Sequence, residues 1–248
     1  MTLAGLLVVW EAVVRASGVP PFILPGPAAV AAALAERWWV IAGHAAVTFA
    51  EIVGGLVVAT VLGTATGLLL AASEAARRWL HPVLVASQAL PVFALAPVLV
   101  LWFGYGPGSK IAMAVLIIYF PLTASLYDGL RRTDPNLLDL AKLAGATPLQ
   151  RLRYVRLPSA LPAFGSGLRV AAAVAPIGAV VGEWVGASRG LGYLMLHANA
   201  RMQVDVMFAA LFVLAAMAVA LYAAVDRAAR ALTPWQTETH DLSEETPS

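Results

Sequence analysis

The side chains able to do chemistry in this chain are few, and most of them sit in one island. Asp139 to Pro158, DLAKLAGATPLQRLRYVRLP, holds an acid, a lysine and three arginines between long apolar segments. Nothing in it resembles a nucleophile with its base, a pair of acids or a metal set. The chain has no cysteine, so thiolate chemistry is excluded. Its four histidines, at 44, 81, 197 and 240, lie in separate segments, which argues against a metal or acid–base site. Neither of the two lysines follows a glycine, so there is no GxxxxGK[ST] phosphate loop. Gly104, Gly106, Gly108 and Lys110 read instead as a tight outer turn between two spans. No catalytic residue, metal or cofactor is called for.

Outside the island, Glu183 in GAVVGEWVG is counted as the one acid placed inside a strongly apolar run. An intramembrane carboxylate marks a functional site by default. Near the end of a span it can also snorkel to the interface or anchor a loop by hydrogen bonds, and these readings carry equal weight. Trp184 beside it is a pathway aromatic or a member of the interfacial belt, with the belt favoured. Gln88, Trp102, Tyr105, Tyr119 and Tyr127 are candidates to line a passage for a flat polar ring, although aromatics at such spacing more often face lipid or core. Ser188 to Gln203, with His197, Asn199 and Arg201, is a gate, a partner contact or a re-entrant cap.

The elements that must position these residues are membrane spans. Of 248 residues, 60% are hydrophobic and 12% charged, and mean hydropathy is +0.81, whereas soluble domains are about half apolar and a quarter charged. A bilayer core takes about 20 helical residues to cross. Six segments serve: Met1 to Ser17, in which Glu11 and Arg15 are placed to pair; His44 to Ala72; Pro82 to Gly104, broken by Pro91 and Pro97; Lys110 to Tyr127; Ala160 to Val185; and Val204 to Leu232. Between the first two, Ala28 to Ile41 is expected as an interfacial helix carrying Trp38 and Trp39. Ser73 to His81 is expected as a polar turn. Gly63 and Gly67 form a small-xxx-small packing pair. The fold class is therefore all-α and polytopic, with one transmembrane domain over 1–235 and a disordered acidic tail over 236–248.

With a cytoplasmic N-terminus, eleven basic residues face the cytoplasm and five (Arg15, Arg37, Lys110, Arg189, Arg201) the other side. That satisfies the positive-inside rule and puts the island and the C-terminus in the cytoplasm. Within the island, Asp134 caps a helix starting at Pro135, Thr147 caps a second starting at Pro148, and Gly145 takes the left-handed conformation between them. The first helix presents Leu137, Leu140, Ala141 and Ala144; the second presents Leu149, Leu152 and Val155 with an arginine fringe. An apolar knob in water suits a groove on a partner protein.

Asp139, Ala141, Gly145, Val155, Leu157 and Pro158 fall at the spacing of the EAA loop, which this island resembles. That loop belongs to permease subunits of ATP-binding-cassette importers. The resemblance runs from Ala45 to Trp235, with Asp139 where the family has Glu and Leu140 where it has Ala. It implies a type I importer permease fold of the bacterial inner membrane, in which two copies of the chain form a pore. It further implies that each copy docks its loop (131–158) on one of two ATPase subunits, while an extracytoplasmic binding protein delivers the solute. LWFGYG (Leu101 to Gly106) and GLGYLM (Gly190 to Met195) are similar to the nitrate, sulfonate and taurine branch, and Arg169 to Gln203 to permeases for hydroxymethylpyrimidine precursors of thiamine. A proton-coupled secondary transporter would need internal repeats and a buried relay, and a membrane-embedded enzyme a clustered reactive set. Neither pattern is visible. Nucleic acid is not an expected partner.

Overall fold

A computed structural model describes residues 2–235; the tail expected to be disordered, 236–248, lies outside the described residues. Every regular element described is helical. In chain order these are α1 (Thr2–Ser17), α2 (Pro27–Glu36), α3 (Trp38–Ala72), α4 (Glu74–Ser87), α5 (Val92–Phe103), α6 (Pro107–Arg131), α7 (Pro135–Leu143), α8 (Pro148–Arg151), a π turn (Leu152–Arg156), α9 (Leu157–Gly186), α10 (Leu191–Ala200) and α11 (Val204–Leu232). Among the described residues four helices are long and apolar enough to cross a membrane: α3, α6, the continuous run Pro148–Gly186, and α11. A fifth crossing is counted if α4 and α5, bent by 105° at their junction, act as one span. The first expected span is a helix of 16 residues, only about 24 Å long.

Several boundaries differ from the sequence expectation, each for a local reason. The interfacial helix stops at Glu36, so Trp38 and Trp39 open the long α3 instead. Ser73 to His81 is helical, because the Ser73 hydroxyl accepts the Ala76 amide at 3.2 Å and Glu74 occupies the first turn. Gly108 and Lys110 belong to α6, which starts at Pro107, so the tight turn shrinks to Gly104–Gly106. The third span is broken at Pro91 as expected, whereas Pro97 lies inside α5 without interrupting it.

The chain divides into two compact units. The first comprises Met1–Val57, Leu90–Ile117 and Val174–Ala220. Its core gathers Ile41, Val180, Leu191, Met195, Val206 and Ala209. Trp10 stacks on Phe208 at 6.0 Å and meets Phe212 in a tilted ring contact at 5.6 Å, which holds α1 against α11. Ala114 is fully buried where helices meet; a Cβ on Gly55 would lie 2.6 Å from its Cβ, and one on Gly178 2.6 Å from its Cα. Such small-residue contacts let backbones approach where no hydrophobic drive operates in lipid.

The second unit comprises Val58–Ala89, Ile118–Ala173 and Leu221–Ser248. The expected Gly63 and Gly67 pair packs here, against Leu122 and Leu126 of α6. Gly129 meets Ala160 in the same manner. Arg169 on α9 pairs with Asp226 on α11 at 2.6 Å, partly buried, and Leu70, Leu84 and Tyr127 form a small core.

Candidate functional site

The island forms in the second unit from contacts a few residues long. The Asp134 carboxylate accepts the Asn136 amide at 2.8 Å and Pro135 fills the first helical position of α7. The end of α7 is closed by Gly145 N–H to Lys142 O and Ala146 N–H to Ala141 O, both 2.9 Å. This is a Schellman closure, and it requires the φ of +76° that Gly145 supplies. Thr147 then opens α8 with a reciprocal capping box: its hydroxyl accepts the Gln150 amide at 3.3 Å and its own amide donates to Gln150 Oε1 at 2.8 Å. Asp139 pairs with Lys142 at 2.7 Å, both exposed.

One expectation is corrected. The second helix is not separate from the fifth span; α8 continues through the π turn into α9. Pro158 has no N–H to return to the preceding turn, and the π register accommodates the missing bond, Leu157 N–H reaching Leu152 O. Leu152, Val155, Leu157 and Pro158 are accordingly half-buried at the root of this helix. The exposed apolar knob consists of Leu137, Leu140, Leu143 (87% exposed) and Leu149 (71%), with Tyr154 beside them. Ala141 is half-buried. Leu143 and Tyr154 lie off the helical stripes that the sequence suggests, Leu143 at the last position of α7 and Tyr154 in the π turn. Leucines left in water forgo roughly 1.5–3 kcal/mol each, the condition of a surface that awaits a partner. Behind the knob, Arg156 donates to Leu130 O at 3.2 and 3.3 Å, tying the π turn to the end of α6.

The first unit holds a second polar site, built from distant residues. Glu183 is 1% exposed, so it does not snorkel; it anchors. Its Oε1 accepts the Thr48 hydroxyl at 2.6 Å, and its Oε2 accepts the backbone amides of Gly192 (2.5 Å) and Tyr193 (3.2 Å). The Thr48 hydroxyl oxygen accepts the Leu191 amide at 2.7 Å, and His44 Nδ1 accepts that of Gly190 at 3.0 Å. The amides from Gly190 to Tyr193, which open α10 and have no partner within it, are thus all satisfied by side chains of α3 and α9. A carboxylate at a helix N-terminus also suits the helix dipole. A Cβ on Gly190, whose φ is +118°, would collide with the Glu183 carboxylate.

Lys110 closes the other end of the same connection. It is 1% exposed rather than in an outer turn, and its ammonium donates to Gly186 O at the end of α9 and to Tyr105 O at 2.7 Å. A cation at a helix C-terminus complements the acid at the next N-terminus. Glu183 is not the only buried acid. Glu51 on α3 is 5% exposed, and its carboxyl lies beside that of Glu183. An ionisable residue inside the long apolar run of α3 is a signal that the sequence carries; Thr48 and His44 carry none.

The remaining pathway candidates divide between the two units. Trp184 and Trp102 are exposed in the first unit. Gln88 and Tyr119 belong to the second, Gln88 exposed at the α4–α5 break and Tyr119 bonded through its hydroxyl to Thr66 at 2.6 Å. Tyr105 is exposed and Tyr127 buried.

Residues 62–238 match the family described as binding-protein-dependent transport system inner membrane component. The chain is 56% identical over 221 residues (89% of this chain, 90% of the relative) to a Haemophilus influenzae protein named as an ABC transporter permease. It is 40% identical to the formylaminopyrimidine transport permease of Halalkalibacterium halodurans, over 93% of this chain and 92% of the relative; other relatives are named for riboflavin, taurine and aliphatic sulfonates. Its fold is similar to that of the methionine importer MetNI in inward-facing conformations, with a TM-score of 0.69 at 21% identity over 80% of this chain and 98% of the neighbour. The chain belongs to the binding-protein-dependent transport system inner membrane component family, the permease subunits of ATP-binding-cassette importers.

Proposed function

We propose that the chain, paired with a second copy of itself, moves a small polar solute into the cytoplasm. In this reading the loop 131–158 docks in a groove of a partner ATPase, one on each permease copy, and an extracytoplasmic binding protein delivers the cargo. The observation that carries it is the exposed leucine knob held by two capped helix ends. Asp139, Leu140, Ala141, Gly145 and Leu149 form or shape the knob, while Leu152, Val155, Leu157 and Pro158 root it in the span. The basic-residue count supports placing both termini in the cytoplasm.

The cargo reading is an aminopyrimidine precursor of thiamine, supported by the 40% identical formylaminopyrimidine permease. The second reading is taurine or a related sulfonate, supported by the 32% identical taurine permease. Gln88, Trp102, Tyr119, Glu183 and Trp184 remain pathway candidates, Glu183 through the α9–α10 connection it holds. The test is Gly145→Val in the reconstituted importer. A β-branched residue is strained at φ +76°, so ATP hydrolysis should continue while uptake falls at least about ten-fold. Uptake per ATP equal to wild type would remove the coupling role.

A further inference from the structure

Of the two buried acids in the first unit, only Glu183 has both carboxylate oxygens bonded to hydroxyl or backbone donors. Glu51 Oε2 has no hydroxyl, amide or ammonium donor; the Glu51 carboxyl meets only that of Glu183, to which it is hydrogen-bonded. A buried acceptor without a donor is rare and costly in native proteins, and an unfilled ligand site is one of its ordinary causes. Glu51 lines a cavity of about 230 Å³ together with Val47, Tyr105, Lys110, Ser188 and Arg189. Lys110 is close enough to act on it electrostatically, but two of its ammonium N–H groups go to backbone carbonyls and no ion pair joins it to Glu51. The neighbouring Glu183 carboxyl adds negative field at the same point. The cavity therefore offers an acceptor at its buried wall, with exposed Arg189 and Ser188 on the opposite chain segment. Its volume lies below the roughly 300–1,000 Å³ typical of drug-sized ligands, which suits a single ring or a two-carbon zwitterion.

We infer that Glu51 is a solute-binding residue, accepting the amino N–H of a small amine-bearing cargo in this cavity. The inference rests on the import reading above and narrows its cargo to molecules with an N–H donor. An aminopyrimidine and taurine share that donor; they differ in that only taurine brings an anionic end for Arg189.

The test is ligand-dependent thermal stabilisation of the permease–ATPase complex in nanodiscs, with 4-amino-2-methylpyrimidine and taurine as probes and 2-methylpyrimidine and isethionate as their amine-free counterparts. At least one amine probe should raise the unfolding temperature saturably, and its counterpart should not. Glu51→Gln should weaken half-saturation by about ten-fold, the worth of one hydrogen bond to a buried group, and Glu51→Asp should recover part of it. Arg189→Ala should abolish a taurine response and leave an aminopyrimidine response intact. Equal shifts from a probe and its counterpart, no shift from either probe, or an unweakened Glu51→Gln would each overturn the site; Glu51 then serves only as the partner of Glu183. The wild-type comparison decides the matter even if Glu51→Gln fails to assemble. Uptake assays separate the two claims: binding without uptake of either probe sinks the cargo reading and leaves the site, and uptake unchanged in Glu51→Gln sinks the site alone.

Discussion

The loop in the second unit and the clamp in the first use one device, the capping of orphan backbone groups at helix ends, in opposite settings. In the loop the caps are Asp134, Thr147 and Gly145, each acting within five residues and exposed to water. In the clamp the caps are Glu183, Thr48, His44 and Lys110, which arrive from other elements and are largely buried. Water can replace a lost exposed cap, so that device tunes shape at modest cost. No water replaces a lost cap inside an apolar site, so the clamp fixes the α9–α10 connection and failure there is expensive.

This contrast can be broken by mutation. Glu183→Ala strands the buried amides of Gly192 and Tyr193, and should cost on the order of 3–5 kcal/mol; denaturation of the purified subunit would show it, and a loss under about 1 kcal/mol would mean that the clamp does little to hold the connection. Thr147→Ala in the exposed capping box should cost about 1 kcal/mol, read in the same assay. Asp139→Ala removes only an exposed pair with Lys142 and should change stability by less than about 1 kcal/mol, while any effect on ATPase docking would appear in co-purification. If Thr147→Ala matched Glu183→Ala, burial would not be what separates the two regions.

The legibility of the two sites follows the same division. Asp134–Pro135, Gly145 and Thr147–Pro148 are readable because each cap is a contact two to five residues long; the reciprocal bond from Gln150 is added by the structure. The continuation of α8 into α9 is not readable, since Pro158 reads locally as a stop and only the π turn carries the helix past it. Glu183 stands out in the sequence as an acid in an apolar run, with anchoring as one of its readings. Glu51 carries the same signal inside α3. Lys110 has the local look of a turn residue because it follows three spaced glycines.

By itself, the sequence determined the all-helical membrane class, the span of α11, the broken third span and the capped loop, because periodicity, proline and capping act over a few residues. Tertiary structure alone decided which polar groups meet. Thr48 and Glu183 are 135 residues apart, and Lys110 and Gly186 are 76. A hydroxyl, an imidazole and a lysine have no local mark that says whose amides or carbonyls they will satisfy. Folding assigns those partners, since only the packed helices bring the donors and acceptors into one dry place.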